Sequence, residues 1–144
     1  MSLNPDEVII EPVLEAQAAD VNELLLNLRA FNHSKLWANV KKPVGCFCRD
    51  LNGKMIGGAF GYDSWGWLSI DLVWVDEAYR GNDLATKLMA KMEEYAKDNE
   101  LNRIKLETGS FQALGFYKKI GFEVYAQLDD YPVGHKNYYL KKLL

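Results

Sequence analysis

The stretch from Trp67 to Glu107 constrains this chain more than any other. Trp67–Val75 reads as a strand. Leu84, Leu88, Met92 and Tyr95 recur at helical spacing, so residues 84–98 read as an amphipathic helix, and Arg103–Glu107 reads as a short strand. Strand, helix, strand implies a right-handed crossover between two parallel neighbours. The surroundings read as antiparallel. Val44–Arg49 and Lys54–Tyr62 flank Leu51-Asn52-Gly53, a hairpin signal because Asn-Gly tolerates positive φ. Trp67–Val75 follows through residues 63–66 and completes a three-stranded meander. Phe122–Gln127 and Lys136–Leu143 supply the last two strands. The fold class is therefore α/β, a mixed sheet with helices on its faces.

The remaining segments fill this frame. Val8–Val13 is expected as a first strand. Ala18–Phe31 is expected as a helix with Val21, Leu24, Leu25 and Leu28 on one side. Leu36, Trp37 and Val40 suggest a second, short helix within residues 32–43, before the break at Pro43. Phe111–Ile120 reads as a further helix that Gly121 ends.

The 144 residues carry no linker, repeat or low-complexity run, so one domain spanning 1–144 is expected. A net charge of −3 argues against a broad nucleic-acid surface, which needs a clustered basic excess. No apolar run reaches the length of a membrane span, and no basic segment followed by an apolar one marks the N-terminus. The expected location is the cytoplasm, with no membrane partner. Cys46 and Cys48 lie one residue apart, too far along a strand for an easy disulfide. With no nearby histidine partner they make no zinc site, so no metal is expected, and they read as small strand hydrophobes.

Chemistry concentrates in two places. The first is Leu72–Leu88, where a hydrophobic strand runs into a tight loop that opens a long helix. The first turn of a helix exposes unpaired N–H groups and the positive end of the dipole. Small residues there let a diphosphate approach those donors, and Arg80 adds positive charge. Arg80–Ala85 is a candidate pyrophosphate cradle, or a plain strand-to-helix turn with Asp83 as its cap. The second is Phe111–Val124. Leu114, Phe116 and Ile120 suit a core, whereas Tyr117 is one step off that stripe.

Together the two stretches resemble the GNAT superfamily of N-acetyltransferases. Arg80-Gly81-Asn82-Asp83-Leu84-Ala85 is similar to its nucleotide loop, Arg/Gln-x-x-Gly-x-Gly/Ala. Phe116-Tyr117-Lys118-Lys119-Ile120-Gly121-Phe122 is similar to its later motif, aromatic-Tyr-x-Lys-x-Gly-Phe. The tail from Asp129 to His135 looks like that of a bacterial subgroup of undefined substrate. The resemblance covers residues 55–127 by motif and nearly the whole chain by order of elements. It implies a mixed, mostly antiparallel sheet with a parallel splayed pair and helices on both faces. It also implies a homodimer, acetyl-coenzyme A as cosubstrate and an amine acceptor, whether a small molecule or a protein. One position departs from the pattern. Asp83 stands where the family usually has glycine, and its carboxylate either occupies the helix N–H groups or points away from them.

The resemblance implies direct attack of the amine on the thioester, without an acyl-enzyme. Val73 and Val75 would pair their backbone with the pantetheine arm, and an N–H near Val73 would stabilise the oxyanion. Gln112, Phe116 and Lys119 join Arg80, Gly81, Asn82, Asp83, Leu84 and Ala85 as expected cofactor-binding residues. Tyr117 matches the position that protonates the departing thiolate. A lysine-like amine of pKa about 10.4 is neutral only ~1 time in 10³ at pH 7, so a base is useful. Asp71, on the strand of the thioester site, is the first candidate, and Glu107, at the end of the neighbouring strand, the second. Each reads equally as a solvated or paired strand carboxylate. His33 and His135 are expected in loops, as surface or packed histidines. Some of Trp65, Trp67, Trp74 and Tyr131 suit the wall of an acceptor pocket. The rival expectation is a GNAT-fold module that senses acyl-coenzyme A, or binds a partner, without turnover. Asp83 favours it.

Overall fold

A computed structural model describes residues 2 and 4–144. The chain divides into two compact units, residues 1–39 and 40–144. Among its described residues the first contains a 3-10 turn at Pro5–Glu7 and the helix α1 (Ala18–Lys35). The strand expected at Val8–Val13 does not form. A strand needs a partner, the unit offers none, and Pro12 lacks a backbone donor. The short helix expected within residues 32–43 is also absent. Nothing in Asn32-His33-Ser34-Lys35 breaks a helix, so α1 runs on past Phe31 to Lys35 and stops where Leu36 turns extended. His33 therefore belongs to a helix, not a loop.

The second unit is a six-stranded mixed sheet ordered β1-β2-β3-β4-β6-β5. Its strands are β1 (Lys42–Arg49), β2 (Met55–Ser64), β3 (Trp67–Val75), β4 (Arg103–Gly109), β5 (Glu123–Asp129) and β6 (Lys136–Leu143). Two α-helices, α2 (Leu84–Asp98) and α3 (Leu114–Lys119), and a 3-10 turn at Glu77–Tyr79 interrupt them. Only β3 and β4 are parallel, joined by α2 as the crossover expectation requires. Local chemistry sets the turns. In the β1–β2 hairpin Asp50 Oδ1 accepts the N–H groups of Asn52 (2.8 Å) and Lys54 (3.0 Å), while Gly53 takes φ +83°. The β2–β3 turn is only Trp65-Gly66, both at positive φ, which matches the twist of the flanking strands.

The core lies between the sheet and α2. Leu88, Met89, Met92 and Ala96 of that helix meet Ala59, Leu68, Ile70, Ile104, Leu106 and Leu140. Burying side chains of this size stabilises by about 1.5–3 kcal/mol each, which fixes α2 over the centre of the sheet. The buried stripe is turned slightly from the expected one, because Leu84 and Tyr95 are only half-buried. The Tyr95 hydroxyl instead donates to Asp63 Oδ2 at 3.1 Å. Lys142 Nζ donates to Glu93 Oε1 (2.6 Å) and to the Ile120 carbonyl (2.7 Å), tying β6 to α2 and to the end of α3. Cys46 and Cys48 are free thiols, half-buried against this core.

Candidate active site

The site begins as a fault in the sheet. β3 pairs with β2 along its length, but with β4 only through Leu68↔Ile104, Ser69↔Lys105 and Ile70↔Leu106. Opposite the last of these, Gly61 faces Ile70 and Phe60 faces Leu72, so Asp71 is an extra, bulged residue. A Cβ at Gly61 would collide with the Ser69 carbonyl oxygen and the Ile70 Cα, so the sequence needs glycine there. The bulge bends β3, while β4 stays in register with β6 from Arg103↔Leu143 to Gly109↔Asn137. The strands part as a fork. Its closed end is pinned by Arg103 stacked over the Trp67 ring, 5.6 Å from the centroid.

A cavity of about 170 Å³ occupies the fork, and Asp71, Val73, Glu107, Thr108, Gln112 and Tyr117 are among its lining residues. The three expected catalytic residues thus border one cavity. Asp71 and Glu107 also line a second hollow, of about 200 Å³, that reaches Tyr125 and Tyr139. Glu107 Oε2 accepts a 2.6 Å hydrogen bond from Asn137 Nδ2, and Asn137 is buried. Tyr117 reverses an expectation. It is the buried residue of α3, while Leu114, Phe116 and Ile120 are half-buried. The helix is six residues long instead of the expected ten, because Gly109–Ala113 forms a separate turn. That turn is stapled by Gln112, whose Oε1 accepts the N–H of Gly109 (2.6 Å) and the hydroxyl of Thr108 (3.4 Å). The shortened α3 sets the Tyr117 ring edge-on to Phe116 and Phe122, at 5.1 and 5.8 Å. Burial raises its phenol pKa above the ordinary value, so the hydroxyl keeps its proton at neutral pH.

Beyond the fork a longer cavity of about 480 Å³ follows the free edge of β3, past Val73, Val75, Ala85, Phe116 and Tyr117 to Arg80. It leads to a hollow of about 270 Å³ at the start of α2, lined by Arg80, Gly81, Asp83, Leu84 and Ala85 among others. Gly81 (φ +82°) and Asp83 (φ +58°) are both left-handed, which folds the loop back under the helix. Asp83 makes no side-chain cap, although its carbonyl accepts the N–H of Lys87 at 3.0 Å. The carboxylate therefore leaves the donors of the first turn open, the second of the two alternatives for Asp83. Arg80 Nε donates to the Val75 carbonyl at 3.3 Å, which holds the guanidinium at the mouth of the cavity. Asn82 turns inward, its Nδ2 donating to the carbonyls of Tyr79 (3.1 Å) and Arg80 (3.4 Å). Neither Asn82 nor Lys119 lines these cavities.

The Acetyltransferase (GNAT) family model matches residues 14–122. The chain belongs to the GNAT acetyltransferase family. Family members draw their acetyl group from acetyl-coenzyme A. The chain is 40% identical to a blasticidin-S acetyltransferase of Streptomyces morookaense over 94 residues, covering 64% of this chain and 68% of that protein. It is 30% identical to an acetyltransferase of Agrobacterium fabrum over 115 residues, covering 80% and 84%. A crystal structure of an acetyltransferase from Bacillus cereus superposes with a TM-score of 0.83 at 28% identity, covering 93% of this chain and 98% of that one. Among the described residues no group of three or more His, Cys, Asp or Glu is placed to hold a metal ion, and no helix is long and apolar enough to cross a membrane.

Two residues of this GNAT site escaped the sequence reading. Asn137 carried one usable signal, a polar amide in a strand otherwise rich in Tyr and Leu, where asparagine is disfavoured. Phe111 carried none, since an aromatic inside a predicted helix reads first as core. His135 lies in the β5–β6 loop as expected, with Nδ1 3.3 Å from Ser110 Oγ.

Proposed function

We propose that this GNAT protein is an N-acetyltransferase that moves an acetyl group from acetyl-coenzyme A to a primary amine by direct attack. The convergence of Tyr117, Asp71 and Glu107 on the fork cavity carries this reading. The pyrophosphate lies on the open N–H groups of Leu84, Ala85 and the preceding loop, beside Arg80. The pantetheine arm runs along the unpaired edge of β3 at Val73 and Val75, adding hydrogen bonds as an extra strand would. Its thioester then sits in the fork. The amine nitrogen bonds to the thioester carbon, and the oxyanion is stabilised by a backbone N–H near Val73. The ammonium proton passes to Asp71 or Glu107, directly or through water. The carbon–sulfur bond breaks, and the departing thiolate takes its proton from the Tyr117 hydroxyl.

Both carboxylates are exposed, but Glu107 accepts a hydrogen bond from the buried Asn137, which aims it and favours it over Asp71 as the base. The family match runs across the boundary between the two compact units, which supports reading residues 1–144 as one functional domain. The non-catalytic alternative rested on Asp83 competing for the helix donors, and the absence of a side-chain cap takes that support away. Release of coenzyme A thiol, followed over a panel of amines, tests the reading. Blasticidin S goes first on the panel, because the relative from Streptomyces morookaense is named for it. Acetyl-coenzyme A binding without thiol release on any amine would overturn the proposal.

A further inference from the structure

A second cleft, of about 400 Å³, shares Gln112 with the fork cavity. Phe111, Gln112, Asn137 and the loop residues Asp130, Tyr131 and Pro132 are among its lining residues. Two of these side chains join it to the chemistry. Gln112 also lines both the fork cavity and the β3 channel. Asn137 gives its Nδ2 to Glu107 at 2.6 Å. A molecule in this cleft has one end against the residues that border the reacting centre.

The lining says what the molecule is. Phe111 is 60% exposed and Tyr131 58% exposed, high values for aromatic rings that face a hollow. Phe111 is held in place by His135, whose ring meets it edge-on at 5.2 Å and is itself in contact with Ser110 Oγ. The cleft is thus built, and its apolar faces suit stacking on a flat ring. Asp130 accepts only the Gly134 N–H, at 3.4 Å, and forms no ion pair among the described residues. Its charge and the two π faces all favour a cation. We propose that this cleft seats the body of the acceptor, and that the acceptor is a small flat-ringed amine carrying positive charge, not an aliphatic polyamine or a protein lysine. The volume fits a single ring system and is small for a peptide. The proposal rests on the acetyltransferase reading and names its substrate class.

Calorimetry with tryptamine and n-butylamine as probes tests it, first on the protein alone and then with acetyl-coenzyme A present. Tryptamine should bind about tenfold more tightly than n-butylamine, since only its ring can cover Phe111 and Tyr131. Tyr131→Ala and Phe111→Leu should each erase most of that preference. Asp130→Asn should weaken tryptamine by about two- to fivefold, as for one exposed charge. All three side chains are exposed, and melting curves verify that the variants fold. Equal affinity for the two amines, or tryptamine affinity untouched by Tyr131→Ala, would overturn the cleft assignment. Thiol release is read separately. Ring-selective binding with no thiol release on any amine would sink the transferase reading and leave the cleft standing, whereas turnover without ring preference would do the reverse.

Discussion

The two edges of β3 behave in opposite ways. Toward β2 the strand is paired from Gly57↔Val75 to Ser64↔Trp67, with one bulge. Toward β4 it is paired at three positions and then open. The same nine residues thus serve as structure on one edge and, in the proposed reaction, as a binding rail on the other. An unpaired edge inside a sheet leaves backbone donors and acceptors unsatisfied, which is costly unless a ligand or water meets them. The comparison teaches that the site is carved by omitting a strand pairing rather than by adding an element. Substitutions on the open edge should change activity and spare stability, and those on the closed edge should cost stability first.

The largest expected effect breaks the open edge at its chemistry. Tyr117→Phe removes only a hydroxyl, and turnover should fall by about 10²–10⁴ while acetyl-coenzyme A affinity stays nearly unchanged. Single-turnover kinetics beside calorimetry read the two quantities, and wild-type turnover would remove Tyr117 as the acid. Next is the far end of the rail. Arg80→Ala should weaken acetyl-coenzyme A binding by about 1.5–3 kcal/mol, the loss of one charge-assisted hydrogen bond. An unchanged dissociation constant would take Arg80 out of the cradle.

The closed edge should answer differently. Gly61→Ala places a methyl against the Ser69 carbonyl and the Ile70 Cα, and overpacking of this kind costs about 1–3 kcal/mol, read as a lower midpoint in urea. Because the bulge at Asp71 depends on that close approach, the remaining activity should fall as well, and a fully active, stable variant would show that the fork has another cause. A smaller effect belongs to Asp83→Gly. A left-handed non-glycine residue costs about 1–2 kcal/mol, and added glycine entropy takes back about 0.5–1, so stability should rise by roughly 0.5 kcal/mol. Cofactor affinity should hardly move, since the carboxylate makes no cap in the first place. A drop in melting temperature would mean that the side chain supports the loop.

The last effect is nil in ordinary buffers. The Tyr117 phenol is raised by burial, so the folded protein holds a proton that the unfolded chain releases near pH 10. The stability this contributes is complete below about pH 10 and is lost as pH rises through the folded value. Melting curves from pH 9 upward should therefore fall more steeply for the wild type than for Tyr117→Phe. Parallel curves would show that the ring is solvated.

Much of this was legible in the residues. The hydrophobic run into Arg80–Ala85, the spacing of Leu88 and Met92, and the Asn52-Gly53 turn are local patterns, each decided within a few residues of backbone geometry. They determined the crossover, the meander, the cradle and the position of Tyr117 in a motif. Four matters needed the folded chain. Val8–Val13 looked like a strand but has no partner to pair with, and pairing is a property of two segments. Tyr117 looked off the core stripe, yet the turn stapled by Gln112 shortens α3 and turns the ring inward. The contact between Asn137 and Glu107 joins residues on neighbouring antiparallel strands. The cleft gathers Phe111, Tyr131 and Asn137 from separate elements. Local propensity acts through neighbours along the chain, so the sequence alone determined most of the elements and the strand-to-helix loop at Arg80–Ala85. The fork, the aim of the carboxylates and the acceptor cleft depend on which strands pair and where that pairing stops, and only the tertiary structure decided them.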